Sequence, residues 1–475
     1  MFFPSPRWRT GACLLCLITS LSVAATKPTR ETPAAPPPPP PEETAAQLRD
    51  LAVAGHSSAW DILESLTTDI GPRPVGSPAM EQARDWALAR MKALGLANVH
   101  AESFVKEHAW ARGRESAELV APVTRALSLL GLGGSVPTPA GGIEAEVVVF
   151  STFEALEAAP PGSLAGRIAL VNQPMTRMQD GEGYGPAVRA RAYGPSVAAA
   201  RGASAYLTRS ITTGNARAPH TGALVYEDGV ARIPAAALGV ADAELLARLV
   251  KRGAAPRVRL NLESTEQATA AAWNVVGEVP GRDPAAGVIV IGGHLDSWDP
   301  GEGAIDDGAG VAITLGAAAL IAGHPVKPLR TIRVVAFGSE ETGGSGTAYA
   351  TAHAAEAAHI ALAGESDLGA GRVLRLLMPK RPPGDPLARS LKVALAPLKV
   401  YVGDGPAKDA GADVEPLAAA GVPVFELTQD ASTYFDIHHS ADDTLDKVNR
   451  QDLEQNVAAW ATALYLFADS SANLR

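Results

Sequence analysis

Five short segments of this sequence carry side chains able to hold hard or borderline metal ions. They are His294 with Asp296 two residues on, the pair Asp306-Asp307, the pair Glu340-Glu341, Asp367, and the tandem His438-His439. No segment offers a nucleophile beside a base. Each has an ordinary reading when taken alone: a hydrogen-bonded loop histidine, turn-forming aspartates, acidic residues at a helix start, a capped turn, surface histidines. Placed together on one rim of one sheet, they read differently. Carboxylates gathered without a nearby lysine or arginine repel one another unless cations compensate, and divalent metal is the simplest compensation. Imidazole mixed with carboxylate oxygen suits zinc. Two His, two Asp and one Glu exceed the needs of one four-coordinate site, and they suffice for two if one carboxylate bridges. Two such ions ~3.5–4 Å apart can share a hydroxide and polarise a carbonyl. Within Glu340-Glu341, adjacent residues at a strand end point differently, so one can be a ligand and the other a general base.

The common rim follows from the elements around these segments. Apolar strand candidates fall at 273–279, 288–291, 331–337, 360–365 and 422–427, and helix candidates at 310–322, 346–357, 386–396 and 451–468. Near-continuous apolar strands alternating with helices predict an α/β fold, a mostly parallel mixed sheet with helices on both faces. In such folds function gathers beyond the carboxyl ends of the strands, where these segments lie. Upstream, helical patterning runs over 44–66. A loop rich in Gly and Pro follows over 71–78, and then a helix over 78–94 with Ser77 as its cap and Pro78 at its first position. From 116 to 265 the texture changes. Short β-like runs at 144–150 and 167–171 alternate with Gly/Pro breaks, and helix candidates lie at 196–202 and 241–251. This stretch reads as an inserted, β-rich domain dividing a catalytic domain into 44–115 and 266–475.

The bulk properties narrow the function classes. The chain has 475 residues, 47% hydrophobic and 19% charged, with a net charge of −10. That acidity argues against nucleic acid as a partner. Arg7 and Arg9 precede an apolar run over 11–23, and Val23-Ala24-Ala25 offers a small-residue cleavage site. Residues 1–25 therefore read as a signal peptide, the run being short of the ~20 residues a membrane span needs. Export to the periplasm or the medium is expected, with no stable membrane anchor after cleavage. Both cysteines, Cys13 and Cys16, fall in this leader, so a mature chain would hold any metal without thiolates. Residues 26–43, with six successive prolines at 36–41, read as an extended linker. A serine-hydrolase elbow is absent, since 343–347 fails the G-x-S-x-G pattern at Thr347, and so is H-E-x-x-H.

The segments quoted above, with Ile305-Asp306-Asp307-Gly308, Ser339-Glu340-Glu341, Glu365-Ser366-Asp367 and His438-His439-Ser440, resemble the co-catalytic zinc aminopeptidase and glutamate carboxypeptidase family. The likeness spans about 61–470. It is strong in the ordered motif blocks and weak through the insert, where 166–172 and 193–206 are similar to a protease-associated domain. The resemblance implies two Zn²⁺ per chain: His294 and Asp367 on one, Glu341 and His439 on the other, Asp306 bridging. It implies Glu340 as general base and Asp296 as the residue orienting the His294 imidazole. His439 is preferred to His438 because the family ligand directly precedes the Ser/Thr of an H-[ST]-x-x-[DE]-T pattern, which Ser440 to Thr444 fits. Relatives often carry a tyrosine just before that ligand, as an oxyanion donor, and His438 takes its place here. The implied activity is exopeptidase hydrolysis of small peptides or dipeptides, with a homodimer as a further expectation and the insert as a roof limiting substrate length. The alternative is a receptor on the same fold that has lost its metals, but such proteins lack ligands that are all filled here.

Overall fold

Val288-Ile289-Val290-Ile291 is β-branched throughout, which suits a strand buried on both faces. In the computed structural model, which describes residues 39–403, 405–407 and 410–475, it opens the strand Val288–His294. This strand lies between Thr331–Phe337 and Ile360–Glu365, parallel to both. Beyond Thr331–Phe337 come two long antiparallel strands, Thr265–Val279 and then Ala97–Ala111 at the edge, completing a five-stranded mixed sheet. The signal segment 1–25 and most of the linker lie outside the described residues.

Alternation along the strands sends side chains to opposite layers. Ile289, Ile291, Ile332 and Val334 enter the larger core, with helices Pro41–Val53, Ala59–Asp69, Pro78–Ala93, Ala309–Gly323, Pro386–Leu395 and Arg450–Asp469. Val288, Val290, Val335 and Phe337 face the opposite layer, with Tyr349 and Leu417 of the short helices Ser345–Ala352 and Glu415–Ala419 and Val414 just before the second. The expected α/β class, with helices on both faces, is what forms.

Several boundaries differ from expectation. The patterning over 44–66 is two helices, because Gly55 takes a φ of 77° and His56 N–H closes back on the Leu51 carbonyl, ending the first. That first helix starts at Pro41, inside the expected linker, since a proline at the first turn forfeits no helical bond. Of the expected strand over 422–427, only Glu426 and Leu427 lie in a strand; before them there is just a bridge of Val424 to Ala363, because Pro423 has no N–H to donate. That strand is Glu426–Gln429, in a separate three-stranded sheet with Val373–Leu377 and Tyr401–Val402. The helix expected over 196–202 begins much earlier, as Tyr184–Ala200. Every strand of the remaining eight-stranded sheet comes from residues 115–262, and two further apolar clusters line it.

Candidate metal centre

His294 closes its strand with Nδ1 2.9 Å from the Asp296 carbonyl, a contact that places the proton on Nδ1 and leaves the Nε2 lone pair free. Nε2 then faces Asp306 Oδ1 at 3.2 Å and Asp367 Oδ1 at 3.4 Å. On the other side, His439 Nε2 lies 3.0 Å from Glu341 Oε2 and 3.1 Å from Asp306 Oδ2. Each oxygen of Asp306 thus faces one histidine. All five side chains named from the sequence converge, and Asp306 stands between the two halves.

The donor set fits zinc on two counts. Ligands ~2.1 Å from a tetrahedral ion sit roughly 3.4 Å from one another, and the four separations above run from 3.0 to 3.4 Å. Asp306 Oδ2 and Glu341 Oε1 are moreover buried without a hydrogen-bond partner, which is costly unless something electropositive meets them. His438 comes almost as close as His439, its Nε2 3.5 Å from Asp306 Oδ2. It stacks on His439 with ring centroids 3.5 Å apart and is enclosed by Tyr184, Tyr434 and Phe435. Burial and the adjacent His439 hold its pKa well below the usual imidazole value. Burial likewise raises Glu341 to about 7, and it raises Glu340 well above the carboxylate range. Glu340 remains partly open to solvent, with Oε2 3.9 Å from His294 Nε2.

The surrounding residues hold the acids in place largely through backbone atoms. Asp296, expected to orient His294, meets the imidazole through its carbonyl; its carboxylate lies 3.6 Å from Nδ1 and accepts from Glu340 N–H at 3.0 Å and Glu341 N–H at 3.2 Å. It sets the direction of the glutamate pair, and its carbonyl serves the imidazole. Asp307 accepts from the N–H groups of His294 and Gly310. A Cβ at Gly293 or Gly310 would lie 2.6 Å or less from that carboxylate, so only glycine admits it. Asp443 accepts from Ile305 N–H at 2.6 Å and Asp306 N–H at 3.3 Å, and burial lifts its pKa to about 7.

The expectation that no lysine or arginine lies near these carboxylates is overturned. Arg73, wholly buried, donates to the carbonyls of Gly71, Leu295, Glu302 and Gly303. Its charge therefore reaches Asp296, Asp306, Asp307 and Asp443 through space. Arg191, on helix Tyr184–Ala200, brings Nη1 to 3.4 Å from His439 Nδ1. A sequence gives no sign of either, because each spends its donors on main-chain carbonyls, which any residue supplies. Next to the acids lies a cavity of about 240 Å³, walled by Val75, Trp110, Trp298, Arg112 and Asp299. Arg112 is paired with Glu115 and Asp299.

The family profile described as Peptidase family M28 matches residues 274–464. Carboxypeptidase Q from Bos taurus is 35% identical over 90% of this chain and 89% of its own length. A solved structure described as a peptidase M28 precursor from Shewanella amazonensis SB2B is 42% identical, with a TM-score of 0.88, over 92% of this chain and 98% of that one. A zinc aminopeptidase from Bacillus subtilis, 20% identical, shares the fold with a TM-score of 0.61 over 87% of this chain and 95% of its own.

Proposed function

Since this chain belongs to peptidase family M28, and is thereby a metallo-exopeptidase acting on peptides, we propose that His294, Asp306, Glu341, Asp367 and His439 together hold two zinc ions and that Glu340 is the general base. The carrying observation is the spacing of the donors: two sets at 3.0–3.4 Å that share Asp306. His294 and Asp367 would hold one ion, Glu341 and His439 the other, and Asp306 would serve both. When bound, zinc supplies Lewis acidity for the scissile carbonyl and for the attacking water. Glu340, partly open to solvent and outside the four short donor separations, takes the proton from water and returns it to the leaving amine. Asp296 keeps Glu340 and Glu341 pointing apart by holding both of their N–H groups. Arg73 and Asp443 fix the main chain that leads into Asp306.

The substrate in this reading is a small peptide or dipeptide with free ends. The largely apolar cavity beside Glu341 supports it, having room for one side chain rather than for a folded protein. Residues 116–265 are read as an inserted domain, supported by a sheet and apolar clusters of their own. Residues 1–25 are read as an export signal. The test is a hydrolysis screen of dipeptides and of peptides blocked at either end, on zinc-loaded enzyme. Cleavage that requires a free amino end marks an aminopeptidase or dipeptidase, and dependence on a free carboxyl end marks a carboxypeptidase. Equal cleavage of doubly blocked peptides would contradict the exopeptidase reading.

His438 is retained as donor to the developing oxyanion, since it lies against Asp306 and its Nδ1 is buried without a partner. Removing one such donor costs about 10²–10³ in kcat. The His438→Ala variant is expected to show a loss of that order with zinc content unchanged, and unaltered turnover would leave His438 a packing residue only.

A further inference from the structure

His439 has a backbone φ of 60°, a left-handed conformation uncommon for any residue but glycine, though histidine, like Asn and Asp, adopts it more often than most. Within its own segment Ser440 closes a turn on the Ile437 carbonyl, through its N–H at 3.1 Å and its Oγ at 2.7 Å. Further contacts on this turn come from residues 210–223, within the inserted region. Thr221 N–H donates to the His439 carbonyl at 2.9 Å. His220 Nδ1 lies 2.5 Å from the His438 carbonyl, which can only accept, so Nδ1 carries the proton. The Thr221 carbonyl lies 3.3 Å from His439 Nδ1.

The last contact decides which nitrogen of His439 is available. Arg191 Nη1 is 3.4 Å from the same Nδ1, and the guanidinium only donates. A bond from Arg191 would require the proton on Nε2, which would silence the nitrogen facing Glu341 and Asp306. With the proton on Nδ1, the Thr221 carbonyl is the acceptor and Nε2 keeps its lone pair. Arg191 then serves the segment: it donates to the carbonyls of Ala223 at 3.2 Å and Thr221 at 3.4 Å. Its guanidinium lies so close over Gly222 that a Cβ there would sit 2.2 Å from Nη1. On the far side, the Thr221 hydroxyl donates to the Gly131 carbonyl at 2.7 Å and accepts from Arg112 Nη2 at 3.1 Å. Two flanking bonds extend the seam: Thr212 Oγ1 donates to the Phe435 carbonyl and Thr213 Oγ1 to Asp436.

We propose that this segment is a positioning element for the metal centre, with His220, Thr221 and Arg191 holding the His438-His439 turn so that His439 presents Nε2. The inference rests on the reading of His439 as a zinc ligand. It gives the inserted region a part in completing the site, beyond covering it, and it localises that part to one of the two ions, the one shared by Glu341 and His439.

The experiment titrates metal-free, full-length protein with zinc against a chromophoric chelator, and with cobalt(II) followed by its visible absorption. The parent protein is expected to take two equivalents. His220→Ala is expected to weaken one of them by about 10–100-fold, the usual effect of removing a residue that supports a ligand, and to change the cobalt spectrum of that equivalent alone. His220→Asn, whose side-chain amide can donate from nearly the place of Nδ1, is expected to restore both. If His220→Ala does not fold, Arg191→Gln replaces it, with the same selective weakening expected. Parental affinity at both equivalents in the variant that folds overturns the inference and leaves the proposed metal centre standing. So does weakening that His220→Asn fails to repair. A parent protein that takes up no zinc removes both.

Discussion

Replacing Glu340 with glutamine is expected to lower kcat by about 10²–10⁴, the usual contribution of a positioned general base, while both zinc equivalents stay bound. Glutamine matches glutamate in shape but cannot accept a proton near neutral pH. The main-chain N–H of residue 340 would still be held by Asp296 at 3.0 Å, so the loop and its neighbour Glu341 should not shift. None of the four short donor separations involves Glu340, whose Oε2 is 3.9 Å from His294 Nε2. The loss should therefore fall on kcat, about 3–5 kcal/mol of transition-state stabilisation, with KM little changed. Steady-state kinetics on a cleaved dipeptide, paired with elemental analysis of the same sample, makes the measurement. Parental kcat in a variant with full zinc would remove Glu340 from the mechanism. Lost zinc would make it a ligand instead.

How much of this was legible in the sequence depended on whether a feature is written in side chains. Thr331–Phe337 and Ile360–Glu365 were read to the residue because strands buried on both faces must be apolar nearly throughout. Ala97–Ala111 was not recognised: it is an edge strand with most of its length open to water, and His100, Glu102, Lys106, Glu107 and His108 break any apolar pattern. The five donors were legible because metal chemistry restricts residue type, and each lies in or just beyond a strand end or in a Gly-rich or tandem-His loop. Of the residues that hold them, Asp296 was named, but its hold on the N–H groups of Glu340 and Glu341 was not. Arg73, Asp443 and Thr221 likewise act on or through peptide groups, and peptide groups leave no trace in composition or spacing. The one partial signal was glycine: Gly293 and Gly310 are required where the Asp307 carboxylate closes on the backbone, but only the structure says what approaches them.

The Asp306→Asn variant is expected to do more damage than Glu340→Gln, and for a different reason. Asp306 offers Oδ1 towards His294 at 3.2 Å and Oδ2 towards His439 at 3.1 Å. Asparagine keeps the length and branching but turns one of those atoms into an NH₂ group, which donates and cannot ligate. Whichever way the amide settles, one half of the centre loses a ligand and the pair loses a negative charge. Burial would by itself raise the pKa of Asp306, yet the adjacent histidines outweigh it and keep the carboxyl well below its usual range. The Asp306 carboxylate is thus an anion in the parent, and its removal leaves His294 and His439 facing less charge. Zinc content should fall below two equivalents, and kcat/KM should drop by about 10³ or more, since Lewis acidity is worth several kcal/mol in the transition state. Added zinc should not restore the parental rate, whereas it should fully restore parent enzyme stripped by a chelator. That contrast separates a missing ligand from a merely depleted site. An Asp306→Asn protein that binds two equivalents and turns over at the parental rate would show that this carboxylate joins no pair of ions.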